Sequence, residues 1–353
     1  MINFIEKLKK FQAVFESFNV CFDFGTSYTR IAIKDIGIIL EEPTVLAYNV
    51  KNKNYVFFGK EAKKIIGKTP DFIQIIKPIN NSIIGNFDAQ LELVNYFFNQ
   101  SINYYLKQYK LIKPRLTACV AVPTAATEIE KRAVEELLYK LNFSEVFLID
   151  KPVANAFGAG FNPLSHQPIL IVDLGGGLIE AAIVSGGGVV SYKTSKNAGD
   201  YFNNVICNYI HLKHGVIIGE TTAEDVKEKL LSFEITEKIN VVRGKSLENG
   251  LPKTVRIKSI EIKEALSQNL FLIIDLIKEI IEISPPEVVD DVYTQGVFLC
   301  GGLAKIPQIN QLITKEIKIN VNITNHPQDV TIHGLLKIIK DQKILKKISL
   351  LPI

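Results

Sequence analysis

The chain has 353 residues, 47% of them hydrophobic, and a formal charge of +4. That composition supports full cores for two domains and argues against a disordered protein. The mild charge has no block of like sign to suggest nucleic acid as a partner. Cys21, Cys119, Cys207 and Cys300 lie too far apart in sequence for a zinc or redox motif.

In chain order, the first predicted element is an amphipathic helix over residues 1–18. Phe4, Ile5, Leu8, Phe11 and Phe15 share one stripe, with Lys7, Lys9 and Lys10 on the other faces. That pattern suits a helix lying on an anionic bilayer. Short β-rich runs follow, VCFDF at 20–24 and RIAIKDI at 30–36. Next come LTACVAV at 116–122, the helical TEIEKRAVEELLYKL at 127–141, EVFLI at 145–149 and PILIVDL at 168–174. Strands alternating with helices predict an α/β fold. No run has the apolar length of a membrane span, and no signal-peptide cleavage pattern is present, so the expectation is a cytoplasmic protein.

An internal repeat organises these elements. FDFGTSYTRIAI at 22–33 and VDLGGGLIEAAI at 172–183 share one form: Asp between apolar residues, a Gly turn, then an alternating strand. Each turn joins strand to strand, so neither is a P-loop or a dinucleotide fingerprint, both of which open a helix. Such hairpins expose backbone N–H groups to phosphate oxygens. The expected grip comes from Gly25, Thr26, Ser27 and Tyr28 on one side and Gly175, Gly176 and Gly177 on the other. Asp23 and Asp173 would hold hydrated Mg²⁺.

With these residues the chain resembles the actin superfamily of ATPases, and within it the MreB family of bacterial actins. The likeness runs through 23–47, VAVPTAATEIEKRAVEE at 120–136, EVFLIDKPVANAFGAG at 145–160, IVDLGGGLIEAAIVSGGGVV at 171–190 and GVFLCGGLAKIP at 296–307. It implies an actin-like α/β fold of two homologous halves, each with a core subdomain and a smaller one, and ATP or ADP in the cleft between them. Domain I would take 1–165 plus 330–353, with its small subdomain at about 45–90. Domain II would take 166–329, with its small subdomain at about 200–265. On the adenosine side the resemblance places Glu224, Lys227 and Glu228, and the paired Gly301 and Gly302, whose missing side chains let backbone lie against the purine.

The resemblance further implies a cytoskeletal protein that polymerises with itself and with homologous MreB proteins into membrane-associated filaments for cell shape or motility. Its place would be the inner face of the membrane. Leu111 and Ile112, between Lys110, Lys113 and Arg115, stand where the family carries a membrane-insertion loop. From its own residues, the basic tail at 337–353 would add a further contact. The alternatives are a non-polymerising nucleotide-binding scaffold or regulator, or an FtsA-like division protein. Two positions depart from the family pattern. Lys151 stands where a Glu would order the attacking water, and Leu178 where a Thr would. Neither a cation nor an isobutyl group accepts a proton from water, so weak hydrolysis is expected.

Overall fold

A computed structural model describes residues 17–109 and 114–350. The predicted membrane residues Phe4, Leu8, Phe11, Leu111 and Ile112 lie outside them. The chain divides into two compact units, one running to Asn162 and resuming at Thr331, the other spanning Pro163–Val330.

In the first unit β1 (Phe18–Phe24), β2 (Tyr28–Ile33) and β3 (Gly37–Pro43) form an antiparallel run. Two small groups follow: β4 (Leu46–Asn49) between β5 (Asn54–Phe58) and β6 (Ile73–Ile76), and the hairpin β7 (Ile79–Asn80) with β8 (Ile83–Ile84). Then β9 (Leu116–Val122) adds parallel to β1, and β10 (Glu145–Asp150) adds parallel to β9. Every residue of β9 is buried. A strand with no polar face belongs in a sheet covered on both sides, which is why LTACVAV reads as a continuous apolar run. The helix Glu128–Lys140 closes over this core through Val134, Leu137 and Leu138. It opens on a reciprocal capping box between Thr127 and Glu130.

The second unit repeats the plan. Strands β11 (Ile169–Leu174), β12 (Ile179–Ser185) and β13 (Gly188–Ser195) are antiparallel. A smaller sheet of β14 (Val216–Ile217), β15 (Ile239–Ser246) and β16 (Pro252–Lys258) comes next. Then β17 (Val297–Cys300) joins parallel to β11 and β18 (Val321–Ile323) parallel to β17. The core orders β3-β2-β1-β9-β10 and β13-β12-β11-β17-β18 are therefore the same topology twice. This is the three-dimensional form of the sequence repeat.

The first unit is discontinuous because the helix Val330–Lys340 packs closely on the helix Lys151–Ala159. A Cβ on Gly334 would overlap the Ala154 carbonyl oxygen. Around that contact Thr331 donates to Asn155 Oδ1 at 2.7 Å and Lys337 Nζ to the Phe157 carbonyl at 2.7 Å. Among the described residues no helix is long and apolar enough to cross a membrane. All four cysteines are free thiols, and burial pushes the Cys21 thiol well up.

Candidate functional site

Each repeat presents a hairpin closed by one bond of the same kind. In the first unit the Gly25 N–H donates to the Tyr28 carbonyl at 3.1 Å, and in the second the Gly175 N–H donates to the Leu178 carbonyl at 3.1 Å. A Cβ at Gly25 would lie 2.6 Å from the Tyr28 oxygen, and one at Gly175 would lie 2.5 Å from the Leu178 oxygen. Glycine is therefore a steric requirement of both turns. Leu178 stands at the position that Tyr28 holds in the other hairpin.

Both turns are braced from behind. Thr44 Oγ1 donates to the Gly25 carbonyl at 2.8 Å, the Thr44 N–H donates to the Ser27 carbonyl at 3.0 Å, and Thr26 Oγ1 accepts the Ser82 N–H at 2.9 Å. In the second unit the first amides of the helix Gly199–His214 do the same work. The Gly199 N–H donates to the Gly175 carbonyl at 3.2 Å and the Asp200 N–H to the Gly176 carbonyl at 2.7 Å. With their carbonyls held, the amides of Thr26, Ser27, Gly176 and Gly177 donate to no group among the described residues. Thr26 and Gly177 are buried. Buried amides are normally paired, so these two short rows are set up for an acceptor from outside the chain.

The acidic residues end the strands that feed the turns. Asp23 and Asp173 are each only 5% exposed. Asp23 pairs in register with Arg30 and Asp173 with Glu180. Arg30 is a participant that the sequence reading missed. Its guanidinium lies 3.9 Å from Asp23 Oδ2 and donates to Glu41 Oε1 at 2.7 Å, a buried cation at the base of the first turn. Its signal in the sequence was a charged residue inside the strand run YTRIAI.

Gly301 and Gly302 follow β17, which places Gly301 against β11. Gly301 has φ +87°, and a Cβ there would strike the Asp173 carboxylate and come within 2.5 Å of the Leu174 carbonyl oxygen. Nothing in the described chain comes near a Cβ on Gly302. Lys227, on the helix Glu220–Leu230, donates through Nζ to the Gly199 carbonyl at 2.9 Å, and burial pushes its ammonium pKa down. Through Gly199 it is tied to the second Gly turn. Glu224 is half-buried and Glu228 exposed. Asp173, Gly175, Gly176, Gly177, Lys227 and Gly301 thus gather in one region of the second unit, and Asp23 through Tyr28 in one region of the first.

Lys151 is the first residue of its helix, directly after Asp150 at the N-cap, and Pro152 fixes the start. Burial raises the Asp150 carboxyl pKa, against a smaller lowering by Lys131. The Asp150 side chain makes no capping hydrogen bond. Leu178 is half-buried.

Hard carboxylate oxygens beside rows of spare amides fit a magnesium-bound polyphosphate. The sequence and the fold have relatives of known kind. The model of the MreB/Mbl protein family matches residues 17–347. The cell shape-determining protein Mbl of Bacillus subtilis is 32% identical over 314 residues, 88% of this chain and 92% of that one. The cell shape-determining protein MreB of Escherichia coli is 33% identical over 333 residues, 93% of this chain and 94% of that one. The crystal structure of MreB5 of Spiroplasma citri bound to ADP superposes with a TM-score of 0.87 at 29% identity, covering 94% of this chain and 98% of that one. A chain of the MamK double helical filament, at 18% identity and TM-score 0.76, covers 92% and 99% and shares the fold.

Proposed function

Since this chain belongs to the MreB/Mbl family and has the actin-like fold, we propose that it is a cytoskeletal bacterial actin. On this reading it binds ATP or ADP with Mg²⁺, polymerises head to tail into membrane-associated filaments, and hydrolyses ATP weakly. The observation that carries the nucleotide reading is the matched pair of glycine hairpins, each with amides left unspent beside a buried aspartate. One relative, MreB5 of Spiroplasma citri, holds such ligands in two structures, ADP in one and AMPPNP in the other.

The roles follow from the residues. The amides of Thr26 and Ser27 and of Gly176 and Gly177 hold phosphate oxygens, and their braced carbonyls keep the turns from relaxing. Asp23 and Asp173 would hold Mg²⁺ through its waters, and the ion would supply charge neutralisation at the phosphates. Gly301 keeps the chain close against Asp173, and Lys227 fixes the helix start at Gly199 beneath the second turn. Lys151 and Leu178 leave the attacking water without an acceptor, so binding and cleavage come apart. The membrane contact rests on the segment before β1, through Phe4, Leu8 and Phe11, and on Leu111 and Ile112; Phe18, which the predicted helix over 1–18 included, instead opens β1 and is buried.

Titration with a fluorescent ATP analogue tests the reading. Saturable binding is expected in Mg²⁺, and should be lost in the double variant Asp23→Ala, Asp173→Ala. Wild-type protein that binds neither ATP nor ADP would overturn it.

A further inference from the structure

The three-stranded sheet of the second unit turns one face to the core, where Val216, Val242 and Ile257 are buried, and leaves the other to solvent. On that outer face the register sets Ile239 opposite Lys258, Val241 opposite Arg256, Arg243 opposite Thr254, and Ile217 opposite Lys245. All four cations are exposed. Each has a neutral residue across from it, so no like charges meet between strands, and no acidic residue lies on the three strands.

An ordinary solvated face mixes both signs of charge. Here only Lys258 has an acidic partner, Glu237 at 3.6 Å. Arg243, Lys245 and Arg256 form no ion pair among the described residues. Between these cations, Ile217, Ile239 and Val241 remain 45%, 58% and 61% exposed. Branched aliphatic side chains alternating with unpaired cations across a sheet face call for a partner that is anionic and apolar at the same level.

We propose that this outer face of β14-β15-β16 docks on an anionic lipid bilayer. The cations meet headgroup phosphates of an anionic leaflet, while the aliphatics enter the interfacial layer. A nucleic acid would satisfy the cations alone, and the strands offer no aromatic platform for bases. An acidic protein would serve the charges but not Ile217, Ile239 and Val241 exposed between them, which an anionic bilayer takes up together with the cations. The contact draws on none of residues 1–16, Leu111 and Ile112, and it requires neither nucleotide nor polymer.

A local probe separates this site from any other membrane contact. The full chain carrying Val241→Cys is labelled with an environment-sensitive fluorophore, and the labelled parent chain subtracts signal from Cys207, the half-exposed native thiol. With vesicles of phosphatidylcholine and phosphatidylglycerol, emission should rise several-fold and shift to the blue, and the response should fade as salt rises. Pure phosphatidylcholine should give no response. Adding Arg243→Gln, Lys245→Gln and Arg256→Gln to that chain should weaken it on the order of 100-fold, with the thermal melt unchanged because the three side chains are solvent-exposed. Protein that co-sediments with anionic vesicles while the probe stays unchanged would overturn the proposal. So would a response to polyglutamate or duplex DNA without one to vesicles, or no vesicle binding at all.

Discussion

Burial holds the Asp150 carboxyl above its ordinary pKa, with Lys131 opposing from nearby. A carboxyl whose folded pKa lies above its unfolded value favours folding below the unfolded pKa and loses that contribution as pH rises through the folded one. Asp150→Asn removes the charged form, so the variant should melt higher than wild type at pH 8 and nearly with it at pH 3.5. Equal shifts at both pH values would show that the carboxylate is not under desolvation strain. The neighbouring residue governs chemistry. If Lys151 and Leu178 are what slow cleavage, Lys151→Glu with Leu178→Thr should raise phosphate release on the order of 10²–10⁴-fold at saturating ATP. Either change alone should restore little, because both act on one water. A wild-type rate already equal to that of the double variant would assign water ordering to another group, with Asp150 the nearest carboxylate in sequence. These two departures are legible in the bare sequence because they interrupt motifs. Arg30 beside Asp23 and Glu41 is not, since that triad needs the register of three strands.

At the scale of elements, the two hairpins are the most legible part of the fold, because a Gly turn between apolar strands is local and occurs twice. What braces them is not local. Thr44 and Ser82 reach the first turn from 19 and 56 residues away, and the second turn is held by a helix N-terminus rather than by side chains. No residue-type signal marks a bond between two main chains. The outer face of β14-β15-β16 was hidden for a related reason: its cations and aliphatics come from three strands, and only their pairing puts them on one surface. Gly301 gives this scale its test. Its φ of +87° lies where side chains are strained, and its Cβ would press on Asp173 and Leu174. Gly301→Ala should cost roughly 1–3 kcal/mol from backbone strain alone, read from the midpoint of urea unfolding, and should weaken nucleotide binding as well. Gly302→Ala, where a Cβ meets nothing in the chain, should leave stability nearly unchanged. Equal losses at both positions would contradict the close-approach account.

For the whole molecule, one sheet topology appears in both units, and the family and fold are those of cell shape-determining actins. Stacking copies head to tail is a heterologous contact that does not close, so assembly should show a critical concentration and depend on the bound nucleotide. With cleavage as weak as proposed, the ATP form would persist and filament lifetime should lengthen. The most direct measurement is sedimentation of the purified chain across a concentration series with ATP and Mg²⁺, with ADP, and without nucleotide, with electron microscopy of the pellets. Filaments are expected above a threshold concentration in ATP, persisting over hours, and none without nucleotide. Protein that binds ATP yet stays monomeric at every concentration would contradict the filament reading and leave a nucleotide-binding scaffold on an actin-like fold.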